Sequence, residues 1–78
     1  MNKVRRKELR AVIAQVEELM ETLENLKEEE SEYLENMPEN FQGCERYEQA
    51  EQAVSSMEDA FCNLEECISS IEEAIGED

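Results

Sequence analysis

The 78-residue chain contains no histidine, one proline (Pro38), two glycines (Gly43 and Gly76) and only seven basic residues against 22 acidic ones. Without histidine the commonest general base is gone. The available hydroxyls belong to Thr22, Ser31, Ser55, Ser56, Ser69 and Ser70; none has a base at helical spacing, and an unassisted hydroxyl is a weak nucleophile. Carboxylate metal centres in helical bundles use a Glu-x-x-His pair, which this chain cannot supply. Calcium loops need oxygen ligands around a glycine turn, and "PENFQG" at residues 38–43 fits that poorly. Glutamates are abundant, but acid/base chemistry needs a partly dry pocket to separate carboxyl pKa values, and a slender helical chain has little concavity. The sequence therefore predicts a non-enzyme, with no catalytic residue, no metal and no cofactor.

No apolar run is long enough for a signal peptide or a membrane span, which predicts a cytoplasmic protein without membrane contact. Cys44, Cys62 and Cys67 fit reduced thiols: their count is odd, there is no CxxC pair, and Cys62 and Cys67, five apart on a helix, point in different directions. Basic residues are scarce and also unevenly placed. Residues 1–10 sum to +4 and the remaining 68 to −19. A surface this negative repels nucleic acid and attracts basic proteins, including those whose surfaces hold DNA or RNA.

What the chain has in quantity is Glu, Leu, Ala and Met, the residues of long helices. From Leu9 the positions Leu9, Val12, Val16, Leu19, Leu23, Leu26, Glu30, Tyr33 and Met37 alternate by threes and fours, a heptad seam with one polar member. Tyr47, Ala50, Val54, Met57, Phe61, Leu64, Ile68, Ile71 and Ile75 do the same without interruption. Between them, Pro38 pushes Met37 out of helical geometry, Pro38 to Gln42 suit a single turn, and Gly43 offers a free backbone. The expected fold is all-α: one domain, an antiparallel two-helix coiled-coil hairpin with helices over about 4–37 and 44–75 and a loop at 38–43. Facing positions should then sum to 80, pairing Tyr33 with Tyr47, Leu26 with Val54, Leu19 with Phe61 and Val12 with Ile68. Glu30 falls opposite Ala50 and can lean to water. The basic N-terminus comes beside Glu72, Glu73, Glu77 and Asp78.

Both apolar faces exceed what one seam needs. Helix 1 adds Ile13, Met20 and Leu34 on one flank, and helix 2 adds Ala53, Ala60, Cys67 and Ala74 on the other. A three-in-seven stripe belongs to a bundle, and a chain this short usually needs a staple or a partner. A homo-oligomer is expected, recruited through Ile13, Met20 and Leu34. On helix 2, Glu51, Glu58, Glu65 and Glu72 stand beside the seam with Asp59, Glu66 and Glu73 next to them, at about 10 Å per repeat along the rod. This ladder could occupy a groove built for a phosphate backbone, or could simply keep a coiled coil soluble and in register.

The loop sequence "YLENMPENFQGCERYEQAEQAVSSMEDA" resembles that of small acidic proteins of bacteriophages and mobile elements of Gram-positive bacteria. The resemblance runs from about residue 28 to the C-terminus and is most distinctive at Pro38-Glu39-Asn40, Gly43 and Glu45-Arg46-Tyr47-Glu48. In those proteins serine tends to stand where Cys44 is, a better helix cap. The resemblance implies a phage setting, in which small acidic proteins inhibit host defence machinery by binding it, so that the partner is a host protein with a basic surface. At the loop, Phe41, Arg46 and Tyr47 could form a recognition tip; the competing expectation packs Tyr47 on Tyr33 and pairs Arg46 with neighbouring acids.

Overall fold

The computed structural model describes residues 1–41 and 43–76. Its first helix, α1 (Lys3–Glu35), starts at Asn2, whose side-chain oxygen accepts the Arg5 N–H at 2.8 Å and so satisfies one of the free donors of the first turn. Its end is set by Pro38, which disfavours helical geometry at the residue before it. The final turn tightens, with the Met37 N–H donating to the Leu34 carbonyl at 3.2 Å, and α1 stops two residues short of the expected boundary. Residues Glu39–Phe41 form one 3-10 turn, the Phe41 N–H donating to the Pro38 carbonyl at 2.9 Å. The second helix, α2 (Glu45–Ile75), begins after Cys44, which has the extended backbone of a cap but makes no capping hydrogen bond through its thiol. Gly76 ends α2 with φ 69°, a conformation that costs glycine little.

The helices fold back along each other into a rod of 59 × 15 × 14 Å. The architecture is the all-α hairpin that the two heptad runs predict, and no strand occurs among the described residues. Of the pairs expected to sum to 80, those of Val12, Leu19, Leu26 and Tyr33 lose their place in the seam because these residues turn outward. The level alignment is kept to within one residue: Glu30 and Ala50 line one cleft, and at the far end Arg6 Nε donates to the Ile75 carbonyl at 3.1 Å. The acids Glu77 and Asp78, expected near that end, lie outside the described residues.

One part of the seam differs. On α2 every expected seam position is buried or half-buried. Leu9, Val16, Leu23 and Glu30 of α1, and Met37 just beyond it, are half-buried as expected, but Val12, Leu19, Leu26 and Tyr33 of α1 are 41, 62, 51 and 46% exposed. Ile13, Met20 and Leu34 take their places: Met20 shares a cleft with Phe61, and Leu34 shares one with Tyr47. The cause is the three-row apolar face of α1. A two-stranded heptad pairing covers two rows, so one row of α1 stays outside whichever way the helix turns. The observed rotation leaves Tyr33 46% exposed and places Lys27 on the half-buried face, where its aliphatic stem can cover apolar surface. The resulting core is thin. Among the described residues only Ala50 and Ile75 are buried outright, at 5% and 7% exposure.

Candidate interaction surfaces

The rotation of α1 divides the rod into two unlike sides. Three clefts mark the first. One is lined by Glu17, Met20, Glu21 and Glu24 of α1 with Phe61, Glu65, Ile68 and Ser69 of α2, one by Ser31, Leu34 and Glu35 with Tyr47 and Glu51, and one by Arg10 and Ile13 with Glu72 and Ile75. The α2 row Glu51, Glu58, Glu65 and Glu72 repeats every seven residues, so it runs along this side throughout. All four are exposed. Across the groove stand Glu17, Glu21 and Glu24, which the sequence reading did not include. The heptad spacing could have found them, because Glu17 and Glu24 flank the Ile13 and Met20 row on the side that an antiparallel partner's Glu65 row must face.

Asp59, Glu66 and Glu73 are separated from that row. A helical step of about 100° moves Asp59 round from Glu58, so these three exposed acids line the back of α2, away from α1, with Ser55, Cys62 and Ser69 between the two rows. The single ridge expected from the sequence is thus two parallel rows, and the first forms an acidic groove with α1 acids. The middle cleft measures about 440 Å³ and is open and shallow. Among the described residues no group of three or more acidic, cysteine or histidine side chains is placed to hold a metal ion, and no helix is long and apolar enough to cross a membrane.

The opposite side is marked by a cleft lined by Glu30, Tyr33, Arg46, Gln49 and Ala50. Stepping by sevens from Tyr33 gives the exposed row Leu26, Leu19 and Val12, and from Arg46 gives Ala53, Ala60, Cys67 and Ala74. The bulky apolar row of α1 and the small row of α2 therefore lie on the same side. Their outer neighbours are Glu8, Gln15, Thr22 and Glu29 on α1 and Gln49, Ser56, Asn63 and Ser70 on α2. With Arg5, which begins the Val12 row, and Glu30 of the cleft itself, this side holds three acids and two arginines in a chain of net charge −15. Ile13, Met20 and Leu34, which the sequence assigns to recruiting a second copy, are instead half-buried between the helices.

At the loop end, Tyr33, Asn36, Met37, Pro38, Phe41, Cys44 and Arg46 surround a cleft of about 390 Å³. Phe41 is half exposed there, whereas Tyr47 is half-buried on the acidic side. Tyr33 and Tyr47 thus belong to different sides of the rod, and the expected recognition tip retains Phe41 and Arg46 without Tyr47. Comparison of the chain with protein-family models, with curated proteins and with solved structures gives no match.

Proposed function

We propose that this hairpin acts by binding another protein and not by catalysis, as an inhibitor that sets its acidic groove against a basic, nucleic-acid-binding surface. The observation that carries this reading is the convergence of Glu17, Glu21 and Glu24 with Glu65 on one open groove, with Glu51, Glu58 and Glu72 continuing it along the rod. Carboxylates held on rigid helices lose little freedom on binding, and a partner's lysines and arginines release the same counterions to them as to phosphates. A net −15 spread over 59 Å is about one charge per 4 Å, close to the roughly 3.4 Å per charge of one DNA strand. The loop's resemblance to acidic phage proteins supports a host defence protein as target and the host cytoplasm as the place of action. Asp59, Glu66 and Glu73, on the back of α2, contribute to the long-range field that steers encounter.

The test is affinity capture of host proteins at low and high salt, followed by competition with DNA or RNA. Glu24→Lys, Glu58→Lys and Glu65→Lys together should abolish capture while the circular dichroism of a helical chain persists. Capture that survives this change, or that salt leaves untouched, refutes the acidic-groove reading.

A second reading, a structural or adaptor coiled coil without inhibitory action, is favoured by the exposed row Val12, Leu19, Leu26 and Tyr33. It predicts contacts that depend on those side chains and resist salt.

A further inference from the structure

We infer that the weakly charged side of the rod is covered by a second copy of the same chain, forming a four-helix bundle in which Leu19 and Leu26 of each copy pack over Ala60 and Ala53 of the other. Three observations converge on a copy of this chain as the occupant, and none depends on what the acidic groove binds.

The first is electrostatic. Two chains of net −15 repel each other on most approaches, and the side bearing Val12, Leu19, Leu26 and Tyr33 is the one where two arginines offset all but one of three acids. Apolar contact there brings together little like charge, while both acidic grooves stay outside.

The second is shape. In the hairpin, facing residues of α1 and α2 sum to 80 for Glu30 with Ala50 and to 81 for Arg6 with Ile75. A twofold axis parallel to the rod keeps these levels, so each α1 residue stands level with the α2 residue of the other copy whose number completes nearly the same sum. Val12 then meets Cys67, Leu19 meets Ala60, Leu26 meets Ala53 and Tyr33 meets Arg46. Large side chains meet small ones along the shared length, every helix has antiparallel neighbours, and the Tyr33 ring receives a guanidinium.

The third is area. The chain exposes 6105 Å², whereas a compact monomer of its 9.1 kDa exposes about 4,900 Å². A side of 59 by 15 Å presents about 900 Å², and a standard interface buries about 800 Å² per partner. Covering this side removes most of the excess. The pair would also carry −30 over the same length, about one charge per 2 Å, against roughly 1.7 Å in duplex DNA.

Sedimentation of the 78-residue chain at micromolar concentration should give twice the monomer mass, and Leu19→Gln with Leu26→Gln should halve it. Both residues are more than half exposed in the single hairpin, so the monomeric variant should keep helical circular dichroism. A monomeric wild-type chain, or an unchanged mass in the variant, overturns the inference. If the double variant does not fold, crosslinking decides: with Cys44, Cys62 and Cys67 replaced by serine, Leu19→Cys and Ala60→Cys should form disulfides between chains under mild oxidation. No crosslink, or one confined to single chains, overturns the arrangement.

Discussion

Arg6 reaches across 69 positions of sequence to donate its Nε–H to the backbone carbonyl of Ile75 at 3.1 Å. The contact closes the open end of the hairpin, opposite the loop, and supplies a cation to the last turn of α2, where carbonyls lack intrahelical donors and the helix dipole is negative. It also explains a local mismatch. Basic residues in the first turns of α1 oppose that helix's own dipole, and their position beside the end of α2 offsets the cost. Arg6→Ala should lower stability by about 1 kcal/mol, a fall in Tm of roughly 4–8 °C for a domain of this size. Arg6→Lys should recover only part of it, because an ammonium keeps the charge but not the guanidinium geometry. Thermal unfolding of the two variants checks this.

The adjacent residues Leu19 and Met20 should respond unequally to truncation. Met20 is half-buried against α2, so Met20→Ala should destabilise the hairpin by about 1–2 kcal/mol, the lower part of the range for large-to-small changes. Leu19, 62% exposed, should cost under about 0.5 kcal/mol in the dissociated chain, as surface substitutions do. Denaturant titration at low protein concentration separates them, and a larger loss at Leu19 than at Met20 would mean that the α1 seam lies where the heptad pattern alone places it.

That pair marks the boundary of what the sequence makes legible. The hairpin, the level at which its helices face each other and the α2 face follow from one proline and from apolar spacing, since α2 has two strong rows and a weaker alanine row. The rotation of α1 does not, because its three apolar rows are of similar strength and the pattern ranks the row of Leu19 above that of Met20. The surfaces of α1 follow from this choice. Turning α1 exposes Val12, Leu19, Leu26 and Tyr33, moves the apolar flank to the side of Ala53 and Ala60, and brings Glu17 and Glu24 into the groove with Glu65. The acids of α2 were legible as residues, but their division into two rows requires taking the helical step between Glu58 and Asp59 literally.

The loop can be strengthened at two neighbouring positions. Cys44 holds the cap position of α2 without a side-chain hydrogen bond, and a serine hydroxyl there can accept an N–H of the first turn. Cys44→Ser should raise stability by about 0.5–1 kcal/mol, and Cys44→Ala should give no such gain. Gly43 has no positive φ, and a Cβ built on it meets nothing within 4 Å. Gly43→Ala should therefore stabilise by about 0.4–1 kcal/mol through the unfolded chain. Gly76, at φ 69°, should behave oppositely, with alanine costing about 1 kcal/mol. Thermal melts of the two glycine variants distinguish a glycine needed for its backbone from one that is not, and those of the two Cys44 variants isolate the cap.

Salt should stabilise this protein. The acidic groove sets Glu17, Glu21 and Glu24 opposite Glu65, and the whole chain carries −15, so repulsion among carboxylates opposes folding more than the attractions at the Arg6 end favour it. Added salt shortens the screening length from about 10 Å at 0.1 M to about 3 Å at 1 M, below the roughly 10 Å between successive heptad glutamates. Tm should consequently rise by several degrees on that change. Glu24→Gln with Glu65→Gln should produce part of the rise at low salt and blunt the remaining response, while Glu66→Gln with Glu73→Gln, on the back of α2, should do so less. The comparison is informative because overall charge falls equally in both double variants. A difference between them reports the groove itself, and identical melting curves would mean that the two rows of acids act only through net charge.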